Sequence, residues 1–284
     1  MSDVTRADRP TTGERQYHIA LERGEVAEYV LLVGDPGRVA KVAGRWDSVE
    51  LERSNREITT ATGSYRGMRI TAMSTGMGTD NVEIVLAELM EITDRPTFVR
   101  VGSSGALQPE IGLGDLIISL GAVRLENTTD FYVRPGYPAI AHRDVVWALE
   151  AACRTLGITY HLGLTATASG FYAPQGRAMR TLPVRYPHLA EELRREGVAN
   201  LEMESSALFV LASLAGLRAG TVCAAYAQRV DGTFLEGAAK EAAEARCIDA
   251  GLAGIHLLWE MDLGQDSDPR ERWSSLIGRR AGER

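Results

Sequence analysis

The chain has 284 residues, 45% of them apolar, and a formal net charge of -7, so it can bury a sizeable core without a metal or crosslink. The negative balance and the lack of any basic run argue against a nucleic-acid surface, which needs clustered Lys and Arg, and no apolar run approaches the ~20 residues of a membrane span. Cys153, Cys223 and Cys247 stand far apart without paired-ligand spacing, so a disulfide framework or zinc site is not expected and a reducing, cytoplasmic setting is.

Residues 1–16 and 264–284 are charged and weakly patterned and read as mobile tails around one domain at 17–263. Apolar, β-branched runs predict buried strands at Tyr29–Val33, Met68–Met73, Thr97–Val101, Leu116–Leu120, Leu162–Ala166 and Gly220–Tyr226. Between them, apolar residues at helical spacing predict helices over Asn81–Glu91, Arg143–Leu156, Met203–Leu214 and Ala238–Trp259, with Gly216 as a stop signal after the third. Ser48–Tyr65 instead alternates apolar and polar residues, as a half-exposed antiparallel hairpin does. Strands alternating with helices, plus one hairpin, imply an α/β domain with a mixed, largely parallel sheet.

Four segments carry chemistry. Val33-Gly34-Asp35-Pro36-Gly37-Arg38 is a glycine-rich turn into a helix; free N–H groups and the Arg38 fork would suit a phosphate, and an ordinary turn capped by Asp35 is the simpler reading. It lacks the Gly-Lys-Ser/Thr ending of a P-loop. Val99 to Ala106 places Arg100 inside a strand, followed by a small-residue turn with Ser103 and Ser104. A buried Arg needs an anion or a carboxylate partner, and the adjacent hydroxyls favour an oxyanion. In Asn200 to Ser206, Glu202 and Glu204 bracket Met203 at a strand-to-helix junction. They could accept from vicinal ribose hydroxyls while Met203 packs on the sugar, or could match a helix dipole. Phe171 to Arg177 offers a ring, the Gln175 amide and the Arg177 fork on a loop, the parts that would hold a flat heterocycle with an imide edge, although loops also collect such residues incidentally.

These segments, with Ser74-Thr75-Gly76-Met77-Gly78, Arg100 to Gly105 and Glu202-Met203-Glu204 as shared marks, resemble the nucleoside phosphorylase family over about His18 to Trp259. Phe171 to Arg177 resembles the pyrimidine-binding loop of the branch that acts on uridine, and Arg229 falls where that branch carries a second base-side Arg. The resemblance implies a single α/β domain with a central mixed, partly barrel-like sheet flanked by helices, phosphorylase/hydrolase-like in type. It implies reversible phosphorolysis of uridine to uracil and ribose 1-phosphate, with inorganic phosphate as co-substrate and no cofactor or metal. Phosphate would be held by Gly34, Arg38, Arg100 and Ser103, with Arg56 lent by a neighbouring subunit of a homo-oligomer built from two-fold dimers. Ribose would rest on Met203 and Glu204 near Glu202, with His18 reaching its 5′-hydroxyl across the interface. Uracil would stack on Phe171 and bond Gln175, Arg177 and, through a water, Arg229. Ser103 stands where Thr is usual, Gln228 where Asn is usual, and Ala173-Pro174 fills the loop differently.

The chemistry fits these roles. Breaking the glycosidic bond leaves positive charge on the sugar and negative charge on the base, so Arg100 would act on the phosphate side and Arg177 and Arg229 on the leaving base. A purine leaves best when protonated at its imidazole nitrogen, and the resemblance implies that purine-specific relatives serve this with an Asp where Gln228 or Arg229 lies here; Asp231 reads as part of an exposed turn. The alternatives are a purine nucleoside phosphorylase, a nucleosidase using water, and a nucleoside-binding protein without turnover.

Overall fold

A computed structural model describes residues 10–264. Nine strands longer than two residues and six α-helices alternate along it. The order is β1 (Tyr29–Val33), α1 (Pro36–Ala43), β2 (Ser48–Asn55), β3 (Ile58–Tyr65), β4 (Met68–Ser74), α2 (Thr79–Ile92), β5 (Thr97–Ala106), β6 (Leu116–Leu125) and α3 (Arg143–Leu156). Then come β7 (Tyr160–Ala168), α4 (Leu189–Arg195), β8 (Val198–Glu202), α5 (Ser205–Leu214), β9 (Arg218–Gln228) and α6 (Gly237–Gly264).

Five strands close a ring in the order β9, β6, β7, β8, β5 and back to β9, and β1, β4, β3 and β2 extend the sheet from β5. Closure removes free edges from the ring. The predicted barrel character and mixed directions are both present: β5 runs parallel to β1 and β9, and β8 pairs antiparallel to β5. The hairpin has its predicted outer limits, with a turn at Arg56 and Glu57 where Arg56 takes a positive φ of 54°.

Buried strand periodicity explains the layers. In β1, Leu31 and Val33 join the core under α3 and α6, whereas Val30 and Leu32 join the core under α2 and α5. A fully buried side chain of this kind contributes about 1.5–3 kcal/mol, which is why β1 is apolar on both faces.

Several boundaries differ from the sequence reading. The small-residue stretch Gly102–Gly105, expected as a turn, continues β5, because its residues pair with β9 and allow the strand to bend into the ring. The third helix begins at Ser205 rather than Met203, since the Glu202 carboxylate accepts from the backbone N–H of Glu204 and Ser205 and fixes the turn before it. The helix α4 has no counterpart in the prediction. Of the segment read as an N-terminal tail, residues 10–16 fold against the domain: Thr11–Thr12 pairs with Arg15–Gln16, and Arg15 bonds Glu22 and Glu25. Residues 1–9 and 265–284 of the expected tails lie outside the described residues. Among the described residues no helix is long and apolar enough to cross a membrane, and no cluster of His, Cys, Asp and Glu could hold a metal.

Candidate active site

A cleft of about 590 Å³ opens at the carboxyl ends of β1, β5, β8 and β9, the edge where open parallel sheets place ligands because strand-end loops and helix starts converge there. Gly34, Arg38, Arg100, Ser103, Phe171, Gln175, Arg177, Glu202, Met203 and Glu204 all line it. The four segments singled out in sequence therefore meet in one place. Glu57, Met77, Ser104, Tyr226 and Phe234 line it as well.

At the strand ends, Arg100 is buried and folds back along β5: a Cβ on Gly102 would lie 2.8 Å from its Nη2. Only glycine at that position leaves room for the guanidinium. Arg100 Nε donates to Glu202 Oε2 at 3.2 Å, and Nη2 donates to Glu204 Oε2. The ion pair and the pocket position coexist, so the two readings of Arg100 are not exclusive. On the other side, a Cβ on Gly34 would stand 3.8 Å from Arg100 Nη1, so the glycine turn after β1 approaches the same guanidinium.

The two carboxylates differ in what remains free. Glu202 accepts from Arg100, Thr167 Oγ1 and the N–H groups of Glu204 and Ser205. These bonds use its lone pairs, so Glu202 orients Arg100 and the start of α5 and has little left for a ribose hydroxyl. Glu204 accepts from Arg100 and from Gly78 N–H at 2.7 Å. Burial pushes the Glu204 carboxyl above the usual carboxylate range, against the pull of Arg100 and with added repulsion from Glu202. Gly78 gives the Ser74–Gly78 motif a physical task, since it presents an N–H to this carboxylate.

Arg38 is 6% exposed. Its Nε donates to Glu244 Oε1 at 2.7 Å and its Nη1 to the Val101 carbonyl at 3.1 Å. Asp35 caps α1 by accepting from Gly37 N–H, as the simpler reading of this turn had it, while Gly34 and Arg38 face the cleft. Sequence reasoning missed Glu244. The signal was present, because a carboxylate between Ala243 and Cys247 interrupts the buried stripe of α6.

The far end of the cleft is built by the loop after β7. The Arg177 guanidinium lies over the Phe171 ring at 3.8 Å, and Nη1 donates to the Phe171 carbonyl and to Gln175 Oε1. One face of Phe171, expected to stack on a base, is thus covered by Arg177. Arg229, expected beside the base, is not among the residues that line the cleft: its Nη2 donates to the Gln175 carbonyl at 3.1 Å behind the lining, and its Nη1 is buried without a partner among the described residues. Burial, followed by repulsion from Arg229, lowers the Arg177 pKa to about 10. Neither guanidinium makes an ion pair among the described residues. Among the described residues no acid stands here: Gln228 is consumed by the carbonyls of Gln108 and Ile111 and by Val230 N–H, and exposed Asp231 bonds Thr233.

His18 and Arg56 do not line the cleft of their own chain. Glu88 holds His18 by its backbone N–H and, at 2.6 Å, by Nδ1. Arg56 lies over the Tyr17 ring and donates to the Tyr17 hydroxyl, and Asn55 bonds the Tyr17 and His18 carbonyls. The two residues thus form one surface patch beside the hairpin tip, whose Glu57 borders the cleft.

The sequence profile of the phosphorylase superfamily matches residues 28–250. A uridine phosphorylase of Thermococcus kodakarensis is 48% identical over 240 residues, 84% of this chain and 86% of its own. A guanosine phosphorylase of Halorubrum lacusprofundi is 32% identical over 228 residues, 80% of this chain and 88% of its own. The crystal structure of a Trypanosoma brucei nucleoside phosphorylase with uridine phosphorylase activity superimposes with a TM-score of 0.80 at 28% identity, covering 88% of this chain and all of that one. The chain therefore belongs to the phosphorylase superfamily, as its cleft and its closed mixed sheet indicate.

Proposed function

We propose that the chain is a uridine phosphorylase, converting uridine and inorganic phosphate to uracil and ribose 1-phosphate. The observation that carries the choice of base is the pair Arg177 and Arg229, two guanidiniums without a carboxylate beside the Gln175 amide. An imide gains negative charge on its carbonyl oxygens as it leaves, and unpaired fixed cations stabilise that charge without transferring a proton. A purine leaves best when protonated by an acid, and among the described residues that end of the cleft has none. The 48% identical relative is a uridine phosphorylase and a 32% identical one a guanosine phosphorylase, so membership alone does not select the base and the site must.

Phosphate binds at the opposite end, against Gly34, Arg38, Arg100 and Ser103, and its oxygens meet the cationic sugar as the bond to the base stretches. Ribose lies between, with Met203 on its face and Glu204 accepting from its hydroxyls. No cofactor enters this scheme. Within one chain, Arg38, Lys41 and Arg100 face Glu202, Glu204 and Glu244, three cations against three carboxylates. A phosphate dianion needs more positive charge than that balance leaves. We propose that Arg56 of a second copy supplies it, in a two-fold dimer whose His18 also reaches the neighbour's 5′-hydroxyl.

The test is turnover with and without phosphate. Uridine should yield uracil and an equal amount of ribose 1-phosphate only when phosphate is present; free ribose released without phosphate would instead identify a nucleosidase.

A further inference from the structure

The buried acid of α6 sits behind the phosphate end of the cleft. Glu244 is 8% exposed and bridges two cations of α1, accepting from Arg38 Nε at 2.7 Å and from Lys41 Nζ. A carboxylate in that setting is strongly disfavoured unless it is paired and hydrogen-bonded. Here burial, which alone would raise its pKa, is outweighed by Lys41 and Arg38, so the group is held below the usual carboxylate range.

The contact constrains Arg38. Glu244 takes Nε and the Val101 carbonyl takes Nη1, which pins the fork in its own plane against β5. The other donors are those of Nη2 and the second N–H of Nη1; the Tyr226 hydroxyl hydrogen-bonds the same side chain, and Arg38 and Tyr226 both line the cleft. A long side chain fixed this way loses little freedom when an anion arrives. The same carboxylate also opposes that anion, since a negative charge one guanidinium away from phosphate repels it.

We propose that Glu244 is a positioning residue for phosphate, clamping the Arg38 fork toward the cleft while its charge limits how tightly phosphate and the phosphorylated sugar are held. The two effects separate by substitution. Glu244→Gln keeps an oxygen that can accept from Arg38 Nε and removes the charge. Glu244→Ala removes both.

The inference rests on the phosphate end assigned under the proposed function, yet its deciding readout, phosphate binding, needs no turnover. Inorganic phosphate is titrated calorimetrically into the unmodified chain and each variant, and KM for phosphate and for uridine are measured alongside. Glu244→Gln should tighten phosphate by about threefold to tenfold, and Glu244→Ala should weaken it by a similar factor through the freed fork. The KM for uridine should stay within about twofold in Glu244→Gln, a split that a general loosening of the fold would not produce. Any other pattern of phosphate affinities overturns the proposal. Should Glu244→Ala fail to fold, the near-isosteric Glu244→Gln decides alone, and no tightening overturns it. Phosphate binding that follows this pattern in a chain unable to cleave uridine would refute the uridine reading and leave the role of Glu244 standing.

Discussion

Arg100 shows how much one side chain carries here. Replacing it with Ala removes the donor proposed for phosphate and strands Glu202 and Glu204 in a buried site. Two costs should appear together: unfolding free energy falls by about 3–5 kcal/mol, as when one partner of a buried ion pair is lost, and kcat/KM for phosphate falls about 100-fold or more in the protein that remains folded. Denaturant unfolding and phosphate-dependent kinetics check the two separately. Near-normal kcat/KM at low phosphate would reduce Arg100 to the ion pair alone. The neighbouring Glu204 gives a pH signature. Its raised pKa means that it takes up a proton above the usual carboxylate range as pH falls; with Glu204 accepting from ribose as proposed, kcat/KM for uridine should drop on an acid limb that Glu204→Gln lacks. The stability sign is opposite. An acid whose pKa is raised by folding contributes stability below its unfolded value and loses it as pH rises through its folded value. The acid limb should therefore appear in kinetics without a loss of stability from this group. Most of these residues were legible in the sequence because a charge among apolar strand residues, or a Met between two acids, breaks the pattern of a plain core. Glu244 and Gly78 were less legible, since their tasks depend on partners 206 and 126 residues away.

At the level of elements, type and order could be read from periodicity, and ends could not. The hairpin limits held because its alternation stops at the strand ends, whereas β5 outran its prediction because Gly102 to Gly105 look like turn residues until β9 pairs with them. Small residues elsewhere report close packing that no single-chain pattern reveals. Gly251 of α6 lies over β5, where an added Cβ would stand 2.3 Å from Val101 Cγ2. Although Ala is favoured over Gly in a helix by about 1 kcal/mol, Gly251→Ala should destabilise the fold by about 1–3 kcal/mol through overpacking. Urea unfolding measures this, and Val101→Ala in the same chain should recover part of the loss. A stabilised single variant would mean that α6 has slack against the sheet.

The whole molecule is where the sequence alone said least, because a charge balance over a cleft requires every partner to be placed. The balanced ion pairs around Arg38 and Arg100, where phosphate is proposed to bind, and the Arg56 and His18 patch outside the cleft motivate the proposal of a site completed by a second copy. Subunit mixing tests this. Arg56→Ala and Arg177→Ala homodimers should both be weakly active, and co-refolded mixtures should regain a substantial part of the activity, since one site in each mixed dimer keeps both arginines. Verified mixed dimers without that recovery would confine Arg56 to its own subunit or to no site. Whether two arginines without carboxylate partners, Arg177 and Arg229, favour a leaving imide over a purine is tested by comparing kcat/KM for uridine and inosine at saturating phosphate, following ribose 1-phosphate. Uridine should be favoured by about 100-fold or more, because a polar edge left unmatched in a buried site is strongly rejected; equal or greater efficiency on inosine would overturn the assignment of this cleft to uridine.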